Sequence, residues 1–216
     1  MHMAILYFLG GHDPFLDDGV RITVRALREA GDDPHILLLP WGLERRAAER
    51  KAAELESAFR DLGATAEPAW PDDGVEEFTK ILRKSDMVFL ADGDARTMQK
   101  ALRFSGMKKL LQDYQGVVMG DGAGALLMPM LALLPPDAYS STYHMILGLN
   151  LVDFSVVPRY TRELDQYVIE ASAGRTLFGI PEGSALMYGA GILSHSGPVH
   201  MFKHGKRTIL NDEMLV

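Results

Sequence analysis

A glycine-rich turn after a short apolar run is the part of the sequence best suited to chemistry. Residues 115–125 read QGVVMGDGAGA, which matches a strand entering the G-x-S-x-G nucleophile elbow. Such an elbow holds one residue on a strained strand-to-helix turn beside backbone N–H donors, a geometry suited to acyl transfer by serine. Gly122 stands at the serine position, so the turn is kept without an attacking atom. Small residues here can also serve a tight turn alone.

Composition limits the classes of protein and of chemistry. The 216 residues, 47% hydrophobic and 24% charged, suit one sizeable core, and we expect a single α/β domain over residues 1–216. A net charge of −7 argues against nucleic acid as a partner, since nucleic-acid binders usually present a basic face. The absence of cysteine excludes disulfides, thiolate zinc sites and a cysteine nucleophile.

No segment indicates a membrane or a metal. The apolar run 125–136 is broken by proline and too short to span a bilayer, and no charged n-region precedes a cleavable apolar stretch, so we expect a cytoplasmic protein. The seven histidines form no recognisable metal pattern. We expect no cofactor, no metal and no membrane partner.

Short strand-like runs alternate with helical patterns up to the elbow. Apolar runs ending in glycine, proline or aspartate predict strands, and runs with apolar residues at helical spacing predict helices. The predicted strands are 4–9, 35–39, 64–69, 87–90 and the run at 117–119; the predicted helices are 43–62, 75–84 and 95–114, the last interrupted near Gly106. This alternation predicts a mostly parallel sheet between two helical layers, a three-layer α/β sandwich.

After the elbow the pattern changes. Pro129, Pro135 and Pro136 predict a loop, and the run 151–157 predicts a strand that Pro158 closes. The segment 177–202 alternates turn residues with short runs, which is typical of antiparallel strands near a sheet edge.

The sequence resembles the dipeptidase E (aspartyl dipeptidase) serine peptidases, relatives of cyanophycinase, over nearly the whole chain. The resemblance rests on several short motifs in the same order, namely Gly10-Gly11, ADGD at 91–94, MGDGAGA at 119–125, DFSVVPR at 153–159, IPEGSAL at 180–186 and VHMFKHGK at 199–206. It implies a class I glutamine amidotransferase-like (flavodoxin-like) fold.

The resemblance also implies a catalytic triad, two members of which are replaced. The family's elbow reads GxSAGA, and Gly122 stands at the nucleophile. The family's base is the histidine of a Pro-His pair, and Arg159 stands at the base. The family's acid is an aspartate in the loop after the elbow, which corresponds to Asp137. An arginine is always protonated in proteins and cannot act as a general base.

Several residues are expected to line what remains of the pocket. Arg159 is expected to pair with Asp137 or to lie on the surface as an ordinary arginine. Gly93 and the backbone N–H groups of Ala123 and Gly124 are candidates for binding a carboxylate or carbonyl oxygen.

Two acidic residues complete that set. The family's Gly-Gly-Asn-type turn ends here at Asp94, which adds negative charge. Glu182 is a further candidate, although its Pro-Glu-Gly turn has an adequate structural explanation.

Other residues offer weaker alternatives for chemistry. Asp121 directly precedes the elbow position and is a possible carboxylate nucleophile, but its side chain should project differently. The polar run Ser140, Ser141, Thr142 and His144 is most simply a loop, and Ser155 most simply a hydrogen-bonded core hydroxyl.

These observations predict a dipeptidase E-like homologue without the family's peptidase activity. It is expected to keep a pocket for a small acidic peptide or another small molecule, and to be a monomer or homodimer. Two alternatives remain: an active dipeptidase or other amidase that uses a rearranged site, and an interaction protein with an empty pocket.

Overall fold

Strands and helices alternate through most of the chain. The computed structural model describes residues 4–11, 13–134, 143–210 and 214–215. Its β-strands are β1 (Ile5–Leu9), β2 (His35–Leu39), β3 (Thr65–Pro68), β4 (Met87–Leu90), β5 (Val117–Asp121), β6 (Leu131–Leu134), β7 (His144–Leu147), β8 (Ser155–Pro158), β9 (Leu177–Ile180), β10 (Ala185–Gly189), β11 (Ile192–Ser196), β12 (His200–Lys203), β13 (Lys206–Ile209) and β14 (Met214–Leu215). Its α-helices are α1 (Asp17–Ala30), α2 (Arg45–Asp61), α3 (Val75–Lys84), α4 (Ala95–Phe104), α5 (Lys108–Gln112), α6 (Ala123–Leu127) and α7 (Asp165–Ala171).

The central sheet confirms the predicted α/β class. Its strand order is β14-β11-β10-β1-β5-β4-β2-β3, and β1, β5, β4, β2 and β3 run parallel to one another. The strands β10, β11 and β14 add antiparallel to the β1 edge. The sheet is therefore mostly parallel, with antiparallel strands at the edge formed by the C-terminal part of the chain.

A second sheet, which the sequence analysis did not predict, holds β13, β12, β9 and β8 in that order. The predicted strand 151–157 is shortened to β8, because Leu151 and Val152 bond instead to the backbone of residues 128 and 130. The predicted proline loop was also wrong in part, since β6 pairs antiparallel with β7 after Pro129. Residues 135–142 lie outside the described part of the chain.

The central sheet is buried on both faces. Leu6 and Phe8 of β1 join one apolar cluster, while Tyr7 and Leu9 join the other. Strands buried on both faces carry continuous apolar runs, which explains the pattern of β1, β2 and β4. Within the described residues, no helix is long and apolar enough to cross a bilayer.

Gly10 ends β1 at a position with no room for a side chain. A Cβ there would overlap the carbonyl oxygen of Pro181 and lie 2.7 Å from its carbonyl carbon. We expect Gly10→Ala to lower the free energy of unfolding by roughly 2 kcal/mol or more. Gly174→Ala is the matched control, because nothing lies within 4 Å of its Cβ position.

Urea unfolding of the two variants beside the unmodified chain measures this effect. Both substitutions restrict the unfolded chain equally, so the difference between them reports the contact alone. Equal unfolding midpoints for the two variants would contradict the close approach at Gly10.

Candidate active site

Gly122 forms a sharp turn between β5 and α6, at the carboxyl end of the parallel strands. Its φ of +48° and ψ of −109° lie in a region that L-residues rarely adopt. The turn therefore has the strained strand-to-helix backbone of a nucleophile elbow.

The space beside Gly122 is filled by Asp92, which follows β4. A Cβ on Gly122 would overlap Asp92 Oδ1, and would lie 2.5 Å from Asp92 Cγ and 2.9 Å from Arg159 Nη1. A side chain at position 122 therefore cannot coexist with this position of the Asp92 carboxylate.

The Asp92 carboxylate accepts the backbone donor that an oxyanion would use. The N–H of Ala123, directly after the elbow residue, donates to Asp92 Oδ1 at 2.9 Å. Burial opposes ionisation of Asp92, but the hydrogen bonds from Arg159 and Ala123 outweigh it, and its pKa is held below the usual value. The backbone N–H of Gly93 adds to this stabilisation. A carboxylate of the chain thus occupies the candidate oxyanion hole.

Arg159 covers this carboxylate from the opposite side. Its Nη2 pairs with Asp92 Oδ2, and its Nη1 donates to Asp92 Oδ1 at 3.4 Å. Glu182 Oε1 lies 3.8 Å from Arg159 Nε. The hydrogen bond to Asp92 raises the pKa of Arg159, so the guanidinium stays protonated and cannot accept a proton.

The backbone around Arg159 is fixed from several sides. Arg159 has a φ of +52°, rare for a residue with a side chain, and its N–H donates to the Gly10 carbonyl at 2.7 Å. Next to it, the Tyr160 hydroxyl bonds Asp165, whose other oxygen lies 2.6 Å from Arg207 Nη1. These contacts hold the guanidinium over the elbow.

Gly11 provides the space that Arg159 requires. Its φ is +90°, and a Cβ there would lie 2.8 Å from Arg159 Cγ and 2.9 Å from Arg159 Cζ. The Gly10-Gly11 pair therefore permits the arginine to cross the end of β1.

Asp121 is buried next to the elbow and points away from solvent. Only 8% of the residue is exposed, and its Oδ1 has no hydrogen-bond partner among the described residues. Burial, and then the charge of Asp92, raise the pKa of Asp121 to about 7. A carboxylate this enclosed has no access to a substrate carbonyl, which argues against the nucleophile role considered for it.

The remaining predicted site residues have structural roles or lie outside the described chain. Asp94 Oδ1 accepts the Thr97 N–H at 2.7 Å and caps α4. Gly124 packs so closely on β4 that a Cβ would overlap the Leu90 carbonyl oxygen. Ser155 Oγ donates to the Leu131 carbonyl at 2.7 Å.

Most of the polar run after the elbow lies outside the described residues. His144 belongs to β7. Asp137, Ser140, Ser141 and Thr142 lie outside the described residues, so the expected pairing of Arg159 with Asp137 stays a prediction. Among the described residues, Arg159 pairs with Asp92 and, at the longer distance of 3.8 Å, with Glu182.

A cavity of about 460 Å³ opens beside the elbow. Gly93, Gly122, Arg159 and Thr161 contribute to its lining. The apolar part of the wall consists of Leu126, Leu133, Leu134, Val157 and Leu164. Open α/β sheets bind ligands at this end of the strands. In the described part of the chain, no three acidic or histidine side chains converge as a metal site.

Comparison with known proteins identifies the family. The model of peptidase family S51 matches residues 21–193, most of the chain. This chain belongs to peptidase family S51. The resemblance drawn from the sequence motifs is thereby confirmed.

A curated relative of the S51 chain is an uncharacterised peptidase, Lmo0363, from Listeria monocytogenes. The two are 27% identical over an alignment of 115 residues, which covers 48% of this chain and 56% of the relative. The match thus spans little more than half of that protein's length.

Solved structures share the fold of this S51 member. A peptidase from an acI-B1 Actinobacterium superimposes with a TM-score of 0.78 and 16% identity, covering 99% of this chain and 97% of the other. A putative peptidase E from Listeria monocytogenes gives a TM-score of 0.65 and 19% identity, covering 90% and 98%. At these identities the likeness establishes the fold alone.

The sequence analysis missed Asp92 as a residue of this S51 site. A signal was present: the Gly-Gly-Asn-type turn that ends at Asp94 places Asp92 at its first glycine. Glycine at this position would leave the space beside the elbow open, whereas the carboxylate of Asp92 can fill it.

Proposed function

We propose that this chain is a cytoplasmic S51 member that lacks the family's peptidase activity and binds a small molecule or peptide in the cavity beside Arg159. The observation that carries the proposal is the position of Asp92, whose carboxylate stands where a nucleophile at position 122 would project. Arg159 cannot serve as a base in its place. A triad that lacks its nucleophile and its base loses nearly all of its catalytic effect.

The cavity supports the binding part of the proposal. Its volume of about 460 Å³ lies within the range of small-molecule sites, and apolar side chains line most of its wall beside a few polar groups. Its lining includes Gly122 and Ala123 of the elbow, so a ligand would lie beside the position of a nucleophile in an active arrangement.

The proposal is tested by incubating the purified, unmodified chain with a panel of acidic dipeptides. We expect no hydrolysis above a protein-free control by mass spectrometry. Turnover above that control would favour the alternative, an amidase with a rearranged site.

A preparation of the chain carrying Arg159→Ala is the companion sample. Hydrolysis that persists in this variant at the same level would indicate a contaminating peptidase, because Arg159 lines the cavity and pairs with Asp92 at the elbow.

A further inference from the structure

The oxyanion hole of this chain already holds a carboxylate. Asp92 accepts the Ala123 N–H at 2.9 Å and pairs with both terminal nitrogens of Arg159. This is how a bound carboxylate ligand would be held, by a backbone donor on one side and a guanidinium fork on the other. The side chain is only 29% exposed, so the pair is partly shielded from water.

Among the described residues, the local charge is already net negative, with three carboxylates against two guanidinium groups. Arg159 faces two carboxylates, Asp92 and the more distant Glu182. Asp94 and Arg96, which also line the cavity, contribute one charge of each sign. An incoming carboxylate would have to displace Asp92, which would leave a partly buried charge without its partners.

We infer that Asp92 is a resident ligand of the oxyanion hole, and that the adjoining cavity takes an apolar ligand without a carboxylate and rejects acidic ones. This inference rests on the proposed binding function and narrows it to a ligand class. The apolar wall binds the body of the ligand, while the filled hole excludes an acidic head group.

Three probes of equal chain length test the ligand class: hexanol, hexylammonium and hexanoate. Titration calorimetry on the unmodified chain should detect hexanol or hexylammonium, with hexanoate binding roughly tenfold more weakly or worse. Hexanoate binding as tightly as hexanol would overturn the inference but leave the proposed binding function intact. Failure of all three probes to bind would overturn both.

Variants at position 92 test the occupancy. Asp92→Ala empties the hole, and we expect hexanoate affinity to rise roughly tenfold or more while hexanol affinity stays within about threefold. Asp92→Asn removes the charge but keeps an acceptor for the Ala123 N–H, so its affinity for hexanoate should rise much less than that of Asp92→Ala. Glu182→Gln removes one negative charge from the same arginine without emptying the hole, and is the matched control.

The variants also distinguish two causes of weak hexanoate binding: a filled oxyanion hole and the negative charge around it. An equal gain of hexanoate affinity in Glu182→Gln and Asp92→Ala would show that charge alone excludes acids, and would overturn the resident-ligand role. If Asp92→Ala does not fold by circular dichroism, the comparison of Asp92→Asn with Glu182→Gln and the probe series on the unmodified chain still decide the question.

Discussion

Serine introduced at position 122 is expected not to restore peptidase activity. Its Cβ would overlap Asp92 Oδ1 and lie 2.9 Å from Arg159 Nη1, so the hydroxyl would enter an occupied space. Even if the carboxylate moved away, the nearest replacement for the base is a protonated arginine. Hydrolysis of acidic dipeptides by Gly122→Ser should remain at the level of the protein-free control.

The same substitution should destabilise the fold. The backbone of Gly122 is strained for any L-residue and the new side chain meets Asp92, so we expect a loss of roughly 2 kcal/mol or more in the free energy of unfolding. Gly174→Ser is the control, because its Cβ position is open.

A double-mutant cycle isolates the steric conflict. Combining Gly122→Ser with Asp92→Gly should recover about 1 kcal/mol or more relative to the sum of the two single changes. We expect hydrolysis of acidic dipeptides only when Arg159→His is added to these two substitutions and supplies a base. Robust hydrolysis by Gly122→Ser alone would contradict the assignment of the site as disabled.

Asp121 should make the stability of the chain fall as pH rises through the mildly acidic range. Its pKa is raised from 3.8 to about 7 in the folded state, so the folded chain keeps a proton that the unfolded chain releases. Stability from this group is therefore greatest near pH 4 and is lost progressively up to about pH 7. Where it is fully present, this pKa shift contributes about 4 kcal/mol to the free energy of unfolding.

Asp121→Asn removes this titration and should be compared with the unmodified chain by urea unfolding at pH 4, 5.5, 7 and 8. Relative to the unmodified chain, the free energy of unfolding of the variant should rise by about 1.4 kcal/mol per pH unit from about pH 4. The difference should become constant above about pH 7. Asp32→Asn, an exposed aspartate before β2, is the control. A stability difference that does not change with pH would contradict the buried, protonated state of Asp121.

The parallel part of the sheet could be predicted from the sequence because its signals are local. The predicted strands 35–39 and 87–90 coincide with β2 and β4, and the predicted helix 75–84 coincides with α3. In α3 the buried residues Phe78, Ile81 and Leu82 have the spacing of one helical face.

The helix α1 was missed because its local propensity is poor. Its sequence DDGVRITVRALREA contains a glycine and several β-branched residues, which disfavour a helix. Burial of Ile22, Ala26 and Leu27 against the sheet stabilises it despite this. The second sheet was missed for a different reason: β12 and β13 form a local hairpin, but β9 joins β8 and β12 only through pairings distant in sequence.

The sequence indicates which residues stand at the motif positions of the candidate site, but not which side chain fills the space between them. Gly122 and Arg159 stand at motif positions, so the missing groups are visible in the sequence. The group that fills the space is Asp92, 67 residues before Arg159, and no local pattern indicates that these two side chains meet. The fold alone brings them together.

The ion pair at the elbow also joins two parts of the fold. Asp92 follows β4 of the central sheet, and Arg159 follows β8 of the second sheet. A histidine that acts as general base for a serine must gain and lose a proton. A guanidinium bonded to a carboxylate keeps its proton and forms a fixed ion pair. The Asp92–Arg159 ion pair thus connects the end of a strand in the central sheet with the end of a strand in the second sheet, so a ligand that separated these two side chains would remove a direct link between the sheets.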